Sequence, residues 1–275
     1  MSLSFKHKKG KGSTYGTLAI AQFWLVVITG LLLMIPFKVQ QPLYSISEII
    51  LLNPWASLLR NGHFWSSQLF LVLSLIHLYD HFHFRKKVGL KPGIALRLSV
   101  GVLIIFLAMI SGFLLKADAD SQQARQILKS LSEAVPFIGE SLAYSLLGTD
   151  DSYLLIYIHH CATFTVFIAI IIIEHSKKYW PSVVDIIASI GVVLVLSYLF
   201  TAPLHDNINP TVKGPWYFVG FQEILHWMNR PAWSIAIILA LVVILYFVNA
   251  GNKKSSFRSK RTLLVFTLFY GVLTL

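Results

Sequence analysis

Six stretches of this chain, 14–36, 62–82, 93–115, 153–175, 183–203 and 232–250, run for about twenty residues each with few charges. As a helix, such a run matches the roughly 30 Å hydrocarbon thickness of a bilayer; it is too long for the alternating strands of an outer-membrane barrel. Lipid offers the backbone no hydrogen-bond partner, so each run is expected to satisfy itself as a helix. Only 13% of the 275 residues are charged and 56% are hydrophobic, whereas a soluble domain carries about a quarter charged. The expected fold class is an all-α membrane protein. A further apolar run, 262–275, is too short to cross alone and is expected as a truncated span or an interfacial end.

The net charge of +11 could suggest nucleic acid as a partner, but the charge is sorted by loop. With the N-terminus inside and the spans alternating, 16 of the 23 basic residues fall on the inner side, including Lys6 to Lys11, Arg85 to Lys87, Lys177, Lys178, Arg258 and Arg261. The outer side holds most of the acids, among them Asp118, Asp120, Glu140, Asp150 and Glu223. This positive-inside pattern predicts a multi-pass protein of a bacterial cytoplasmic (inner) membrane, N-terminus on the cytoplasmic side, in contact with lipid and not with nucleic acid. The lysines at 6–11 precede a run too long for a cleavable signal peptide. The single cysteine, Cys161, excludes intrachain disulfides, iron–sulfur ligation and CxxCH haem attachment by this chain.

The inner loops are short and basic; the outer ones are longer and patterned. Segment 39–61 reads as an amphipathic surface helix, and 116–152 as a helical hairpin bending at "SEAVPFIGESL". Segment 204–231 carries "GPWYFVGFQEILHWMNRP". Their apolar and aromatic faces suggest the floor of a site near the outer leaflet.

Histidines interrupt two of the apolar runs. His63 and His77 are 14 residues apart, which on an α-helix leaves them within about 40° of one face and about 21 Å apart along the axis. His160 and His175 are 15 apart, about 60° off a common face; His159 is about 160° off His175, so the angle favours His160. Both runs descend from outside to inside, so the histidines match by depth: His63 with His160, His77 with His175. A lone intramembrane histidine is most often a helix–helix hydrogen bond. Four in two depth-matched pairs predict two non-covalent b-type haems with bis-histidine ligation, in the core of a helical bundle. Gly16 and Gly30 repeat the 14-residue period and are expected to let the first span approach one flat ring each. Gly101 and Gly112 share a face of the third span but match the depths less well. His81 and His83, beside Arg85, read as solvated helix-end residues. The expected architecture is a four-helix di-haem bundle over 1–180. Two or three further transmembrane helices follow over 181–275, with an outer loop at 204–231 and amphipathic outer-surface helices.

Together these residues resemble cytochrome b of the quinol-oxidising cytochrome bc complexes. The resemblance covers roughly 14–250 and is carried by "SLLRNGHFWSSQLFLVLSLIH", Thr29–Gly30, "SGFLL" at 111–115, "AVPFIGESL" at 134–142, the His160/His175 pair and "KGPWYF" at 213–218. The 14-then-15 histidine spacing is similar to the chloroplast-type branch. The resemblance implies an outer low-potential haem, an inner high-potential haem, a quinol-oxidation pocket outside and a quinone pocket inside, menaquinone being the quinone expected. It also implies obligatory redox partners, a Rieske iron–sulfur protein or multihaem cytochrome c subunits, and a homodimer within a larger complex. Arg60, three before His63, matches an arginine that meets the outer haem's propionate. Three departures stand out. Thr14 occupies the place of a cysteine that anchors an extra haem in the chloroplast-type branch. Leu155 stands where the family carries an arginine. "LLKADADSQQ" lacks the family's tryptophan and aspartate.

The largest departure lies in the outer pocket. The family's Pro-Glu-Trp-Tyr tetrad reads Gly214, Pro215, Trp216, Tyr217 here. Quinol oxidation releases protons, and a basic group must take them. With the tetrad glutamate replaced by proline, Glu223 is the expected substitute, with His226 one turn on to pass the proton outward. Tyr217 is grouped with them, and Trp216 and Pro215 are expected to line the quinone. On this reading the chain is a redox subunit of a quinol:acceptor oxidoreductase, active only with partners. The alternatives are a non-bifurcating di-haem membrane anchor of another quinone-linked complex, and a haem-free transporter, for which no interrupted-helix pattern is found.

Overall fold

The computed structural model describes residues 14–84, 90–176, 180–205, 211–228, 233–250 and 253–274, with 82–84 and 253–259 described in backbone only. The basic residues at 6–11, 85–87 and 177–178, which carry the topology reading, lie outside the described residues, as do 206–210 and 229–231 of the outer loop.

Every regular element among the described residues is helical. The order is α1 (Thr14–Leu33), α2 (Pro42–Leu52), α3 (Pro54–Phe84), α4 (Pro92–Leu114), α5 (Ala119–Glu133), α6 (Gly139–Leu147), α7 (Leu154–Ser176), α8 (Val183–Leu199), α9 (Trp216–His226), α10 (Trp233–Ala250) and α11 (Lys253–Leu273). Helix starts follow local chemistry. Proline, whose missing N–H costs nothing in a first turn, opens α2, α3 and α4. The Asp118 carboxylate caps α5 by accepting from the Ser121 N–H, and the Ser182 hydroxyl caps α8 by accepting from Asp185.

Among the described residues four helices, α1, α4, α7 and α10, are long and apolar enough to cross a membrane. The other two expected spans also form helices. Helix α3 has 31 residues but is diluted by Arg60, Asn61, His63, Gln68 and His77, and α8 has 17. The surface helix expected over 39–61 is instead two elements. Asn53 leaves the helical region (φ −136°, ψ 95°), and its side chain accepts from Ala56 N–H, so α3 starts afresh at Pro54 and runs straight into the second span. The C-terminal apolar run is the second half of a 21-residue helix, because the preceding lysines and arginines are good helix formers. The hairpin over 116–152 forms as α5 and α6.

Helix α1 packs closely along α3, and α4 along α7; these two pairs then meet through side chains. Ala19 and Phe23 of α1, Phe70 of α3 and Ile168 of α7 form the buried centre, with Ile104, Ile105 and Ala108 of α4 against it. Helix α8 packs on α1 and α3, α10 on α4, and α11 on α10 and α9.

A buried cation fastens the outer hairpin. Arg125, 5% exposed, donates to the carbonyls of Leu147, Thr149, Asp150 and Ser152 at 2.6–3.2 Å and stacks on Tyr153, 4.6 Å from the ring centre. It ties α5 to the turn that launches α7. Truncating it leaves buried carbonyls without donors, at a cost of about 3 kcal/mol. Arg125→Ala is therefore expected to lower the thermal midpoint and open 139–153 to limited proteolysis, while Arg125→Lys, which cannot fork over four carbonyls, recovers only part of the loss.

Candidate functional site: two facing histidine pairs

His63 and His77 both lie on α3. Their counterparts lie on α7, which contains a π-helical turn over His159–Phe164. A π turn absorbs one extra residue into a helix. Fifteen residues containing one such turn advance the helix as fourteen ordinary residues do, so the unequal spacings 63/77 and 160/175 become equal in phase. The turn also separates the two adjacent histidines. His160 faces His63, while the His159 Nε2 lies 2.8 Å from the Ser145 carbonyl of α6 and its Nδ1 3.2 Å from the Thr163 hydroxyl.

The ring centres of His63 and His160 are 6.1 Å apart, with planes at 78°; those of His77 and His175 are also 6.1 Å apart, at 66°. An imidazole nitrogen sits about 2 Å from a bound transition metal and about 1.15 Å from its own ring centre, so two rings sharing one ion from opposite sides have centres about 6.3 Å apart. Both pairs meet that spacing. Among the described residues no group of three or more His, Cys, Asp or Glu could hold a metal ion, so each histidine pair offers two ligands.

The outer pair is fixed by the same device twice. Nδ1–H of His63 donates to the Val26 carbonyl at 3.1 Å and is shared with the Thr29 hydroxyl oxygen at 3.1 Å. Nδ1–H of His160 donates to the Ala108 carbonyl at 3.0 Å and is shared with the Ser111 hydroxyl oxygen at 3.2 Å. A carbonyl can only accept, so Nδ1 carries the proton and Nε2 keeps the lone pair in both rings. Each contact needs a glycine four residues after the accepting carbonyl. A Cβ on Gly30 would lie 3.0 Å from His63 Cε1, and one on Gly112 would lie 2.7 Å from His160 Cε1. Gly16 stands in the same relation to His77, at 3.0 Å, whereas Gly101 packs against Ile171. The glycines thus admit the imidazole edges, and Gly112, undervalued on depth alone, belongs with Gly16 and Gly30. The hydroxyl–glycine dipeptides Thr29–Gly30 and Ser111–Gly112 were the sequence signal for this.

The outer-face residues are distributed around this core. Arg60 donates to the carbonyls of Ala202 and Pro203 at 2.9 and 3.1 Å; with Asn61 and Trp65, which bond Ser197, Ala202 and Phe200, it fastens the C-terminal end of α8 to α3. Pro215 precedes α9. Trp216 donates its indole N–H to Gln68 of α3 at 2.8 Å, and the buried Tyr217 ring lies 6.3 Å from Phe106 of α4. Burial raises the Tyr217 phenol well above its ordinary value, so it stays protonated. Glu223 and His226 face each other at 3.6 Å, with side chains 42% and 72% exposed. One turn deeper than Gln68, an apolar cleft opens between α3 and α4, lined by Leu71, Ser74, Leu75, Leu78, Val102, Ile105 and Phe106.

Sequence reasoning missed a polar cluster at the α4–α5 corner. Asp118, its side chain fully buried, accepts from Lys116 Nζ at 2.8 Å and from the N–H groups of His205 and Ser121. Asp120 accepts from the Lys213 N–H at 2.9 Å, and its Oδ1 lies 3.1 Å from His205 Nδ1. No local pattern could have revealed contacts between segments some ninety residues apart.

The fold and site thus define an all-helical membrane protein organised around two facing histidine pairs. No protein-family model matches the chain, and no curated protein does. Among solved structures it is similar to a chain of "Hyperthermophilic respiratory Complex III", with a TM-score of 0.64 and 15% identity, over 96% of this chain and 83% of that one. At that identity the likeness is one of fold.

Burial raises the Asp118 carboxyl, but Lys116 and the two N–H donors outweigh it and hold the group below its ordinary value. The stabilisation is therefore complete above the unfolded value of about 3.9 and is lost as pH falls through the lower folded value. Acid titration of the thermal midpoint should show a decline below about pH 4 that is missing in Asp118→Asn. That variant should be weaker at neutral pH by about 3–5 kcal/mol, because Lys116 is left buried and unpaired.

Proposed function

We propose that this chain is the di-haem b cytochrome subunit of a quinol-oxidising electron-transfer complex, holding one haem between His63 and His160 and another between His77 and His175. The observation that carries this reading is the 6.1 Å ring separation, repeated at two levels and matching one shared iron. The fold of a respiratory Complex III chain supports it. Haem, when bound, supplies a one-electron carrier at each level.

The protein's own contribution is positional. Val26, Thr29, Ala108 and Ser111 fix the tautomer of the outer rings, and Gly16, Gly30 and Gly112 admit the ring edges. The apolar layer of Phe23, Phe70 and Ile168 keeps water out between the levels. Quinol, with menaquinone the expected species, is placed at the outer face. Trp216 and Tyr217 border its head there, and the apolar α3–α4 cleft suits its tail. A partner with an iron–sulfur or c-type centre takes the other electron, and the assembly is a dimer in a bacterial cytoplasmic membrane with the N-terminus inside. Proline at 215, in place of a tetrad glutamate, favours a second reading in which both electrons run one way through a non-bifurcating anchor.

The purified, reduced chain is expected to show b-type absorption corresponding to two haems; absence of that absorption sinks the proposal. Gly112→Ala, whose new methyl would collide with His160, should leave about one haem per chain with the helical content unchanged. Substituting Gly101, which faces Ile171, should leave two.

A further inference from the structure

Resting on the di-haem reading, we propose that His159 is a positioning residue for the outer pair: its ring, anchored on the last turn of α6, sets the rotation of the π turn and with it the angle at which His160 faces His63. The anchor has a physical reason. Ser145 lies in the last turn of the nine-residue α6, where carbonyls have no donor inside the helix. The His159 Nε2 lies 2.8 Å from that carbonyl, which can only accept, so Nε2 carries the proton and the neutral ring keeps its lone pair on Nδ1. The Thr163 hydroxyl, one turn on at 3.2 Å, donates to Nδ1. One ring nitrogen is thus engaged by α6 and the other by α7, and the Phe164 ring stacks on the imidazole at 5.5 Å. His160 has the opposite tautomer, its Nδ1–H donating to the Ala108 carbonyl of α4.

Two neighbouring histidines are therefore held against different walls, His159 against α6 and His160 against α4. With regular α geometry His160 would stand about 60° from the face of His175. The π turn over His159–Phe164 supplies the missing rotation. The Thr165 hydroxyl secures it by donating to the His160 carbonyl at 2.7 Å, five residues back, whereas in an α-helix a threonine reaches carbonyls three or four back. Adjacent residues on a helix keep a fixed angular offset, so a tether on His159 also fixes the azimuth of His160. The base of the tether is firm, because Arg125 of α5 holds the carbonyls of Leu147, Thr149, Asp150 and Ser152 in the connection between α6 and α7.

The test uses the whole complex, with His159→Leu, which removes the tether, and His159→Gln, whose amide N–H reaches about as far as the imidazole Nε2–H. Haem content is measured first: wild-type complex without b-type haem refutes the di-haem reading and this inference with it. Where the wild type holds two, His159→Leu should shift the midpoint potential and the low-spin electron paramagnetic resonance signal of the outer level, the one that Gly112→Ala empties, and leave the inner level unchanged. Amides over 142–147 should exchange with solvent about tenfold faster in the same variant. His159→Gln should return both readings toward wild type. A wild-type outer signal and potential in His159→Leu, or no recovery in His159→Gln, overturns the assignment. Loss of one haem in both variants overturns it as well, since His159 would then be the ligand itself.

Discussion

Most of the core geometry depends on an imidazole edge lying against a glycine. Where Gly30 and Gly112 omit a Cβ, the Nδ1–H of His63 and of His160 reaches a main-chain carbonyl of the facing helix. That single contact sets three things together. It brings α1 onto α3 and α4 onto α7, fixes which ring nitrogen keeps its lone pair, and holds each ring at one azimuth. A histidine buried in hydrocarbon would otherwise cost free energy as an unpaired polar group. The same bonds that orient it also make it tolerable there, so no separate compensation is required.

Much of this was legible in the sequence. Run length gave the helices and loop charge suggested an orientation. Histidine spacing selected the residues that the structure brings together at two levels. What the spacing could not show was why the intervals differ. An ideal helix leaves His160 and His175 about 60° apart, and only the π turn at His159–Phe164 removes the mismatch. The break at Asn53–Pro54 was readable from proline chemistry, yet it was hidden by an apolar pattern that continues through it. The contacts of Asp118 and Asp120 with His205 and Lys213 were not readable, since they join segments whose approach is decided by the packing of α4, α5 and α8.

The outer surface is organised by the same economy of fastening points. Arg60, Asn61 and Trp65 hold the end of α8, Asp118 holds the chain that leaves it, and Asp120 holds that chain again just before α9. The path from α8 to α9 is therefore pinned to α3 and to the α4–α5 corner at successive points. Trp216 and Tyr217 meet α3 and α4 at Gln68 and Phe106, and α11 holds the same turn, the Tyr270 hydroxyl donating to the Tyr217 carbonyl at 2.7 Å.

The two levels are not equivalent, and the difference has a direction. Both described outer rings share Nδ1–H between a carbonyl and a hydroxyl; His77 Nδ1 has no hydrogen-bond partner among the described residues, and Gly101 serves Ile171 instead of His175. A hydrogen bond from the far nitrogen makes an imidazole a stronger electron donor to a bound metal. On the proposed reading, stronger donation from both outer rings favours the oxidised ion there and lowers its potential relative to a level at which one ring, His77, makes no such bond. Electrons entering outside would then move inward downhill through the Phe23–Phe70–Ile168 layer. The gradient would arise from two hydroxyl–glycine dipeptides, Thr29–Gly30 and Ser111–Gly112, with no charged residue needed between the levels.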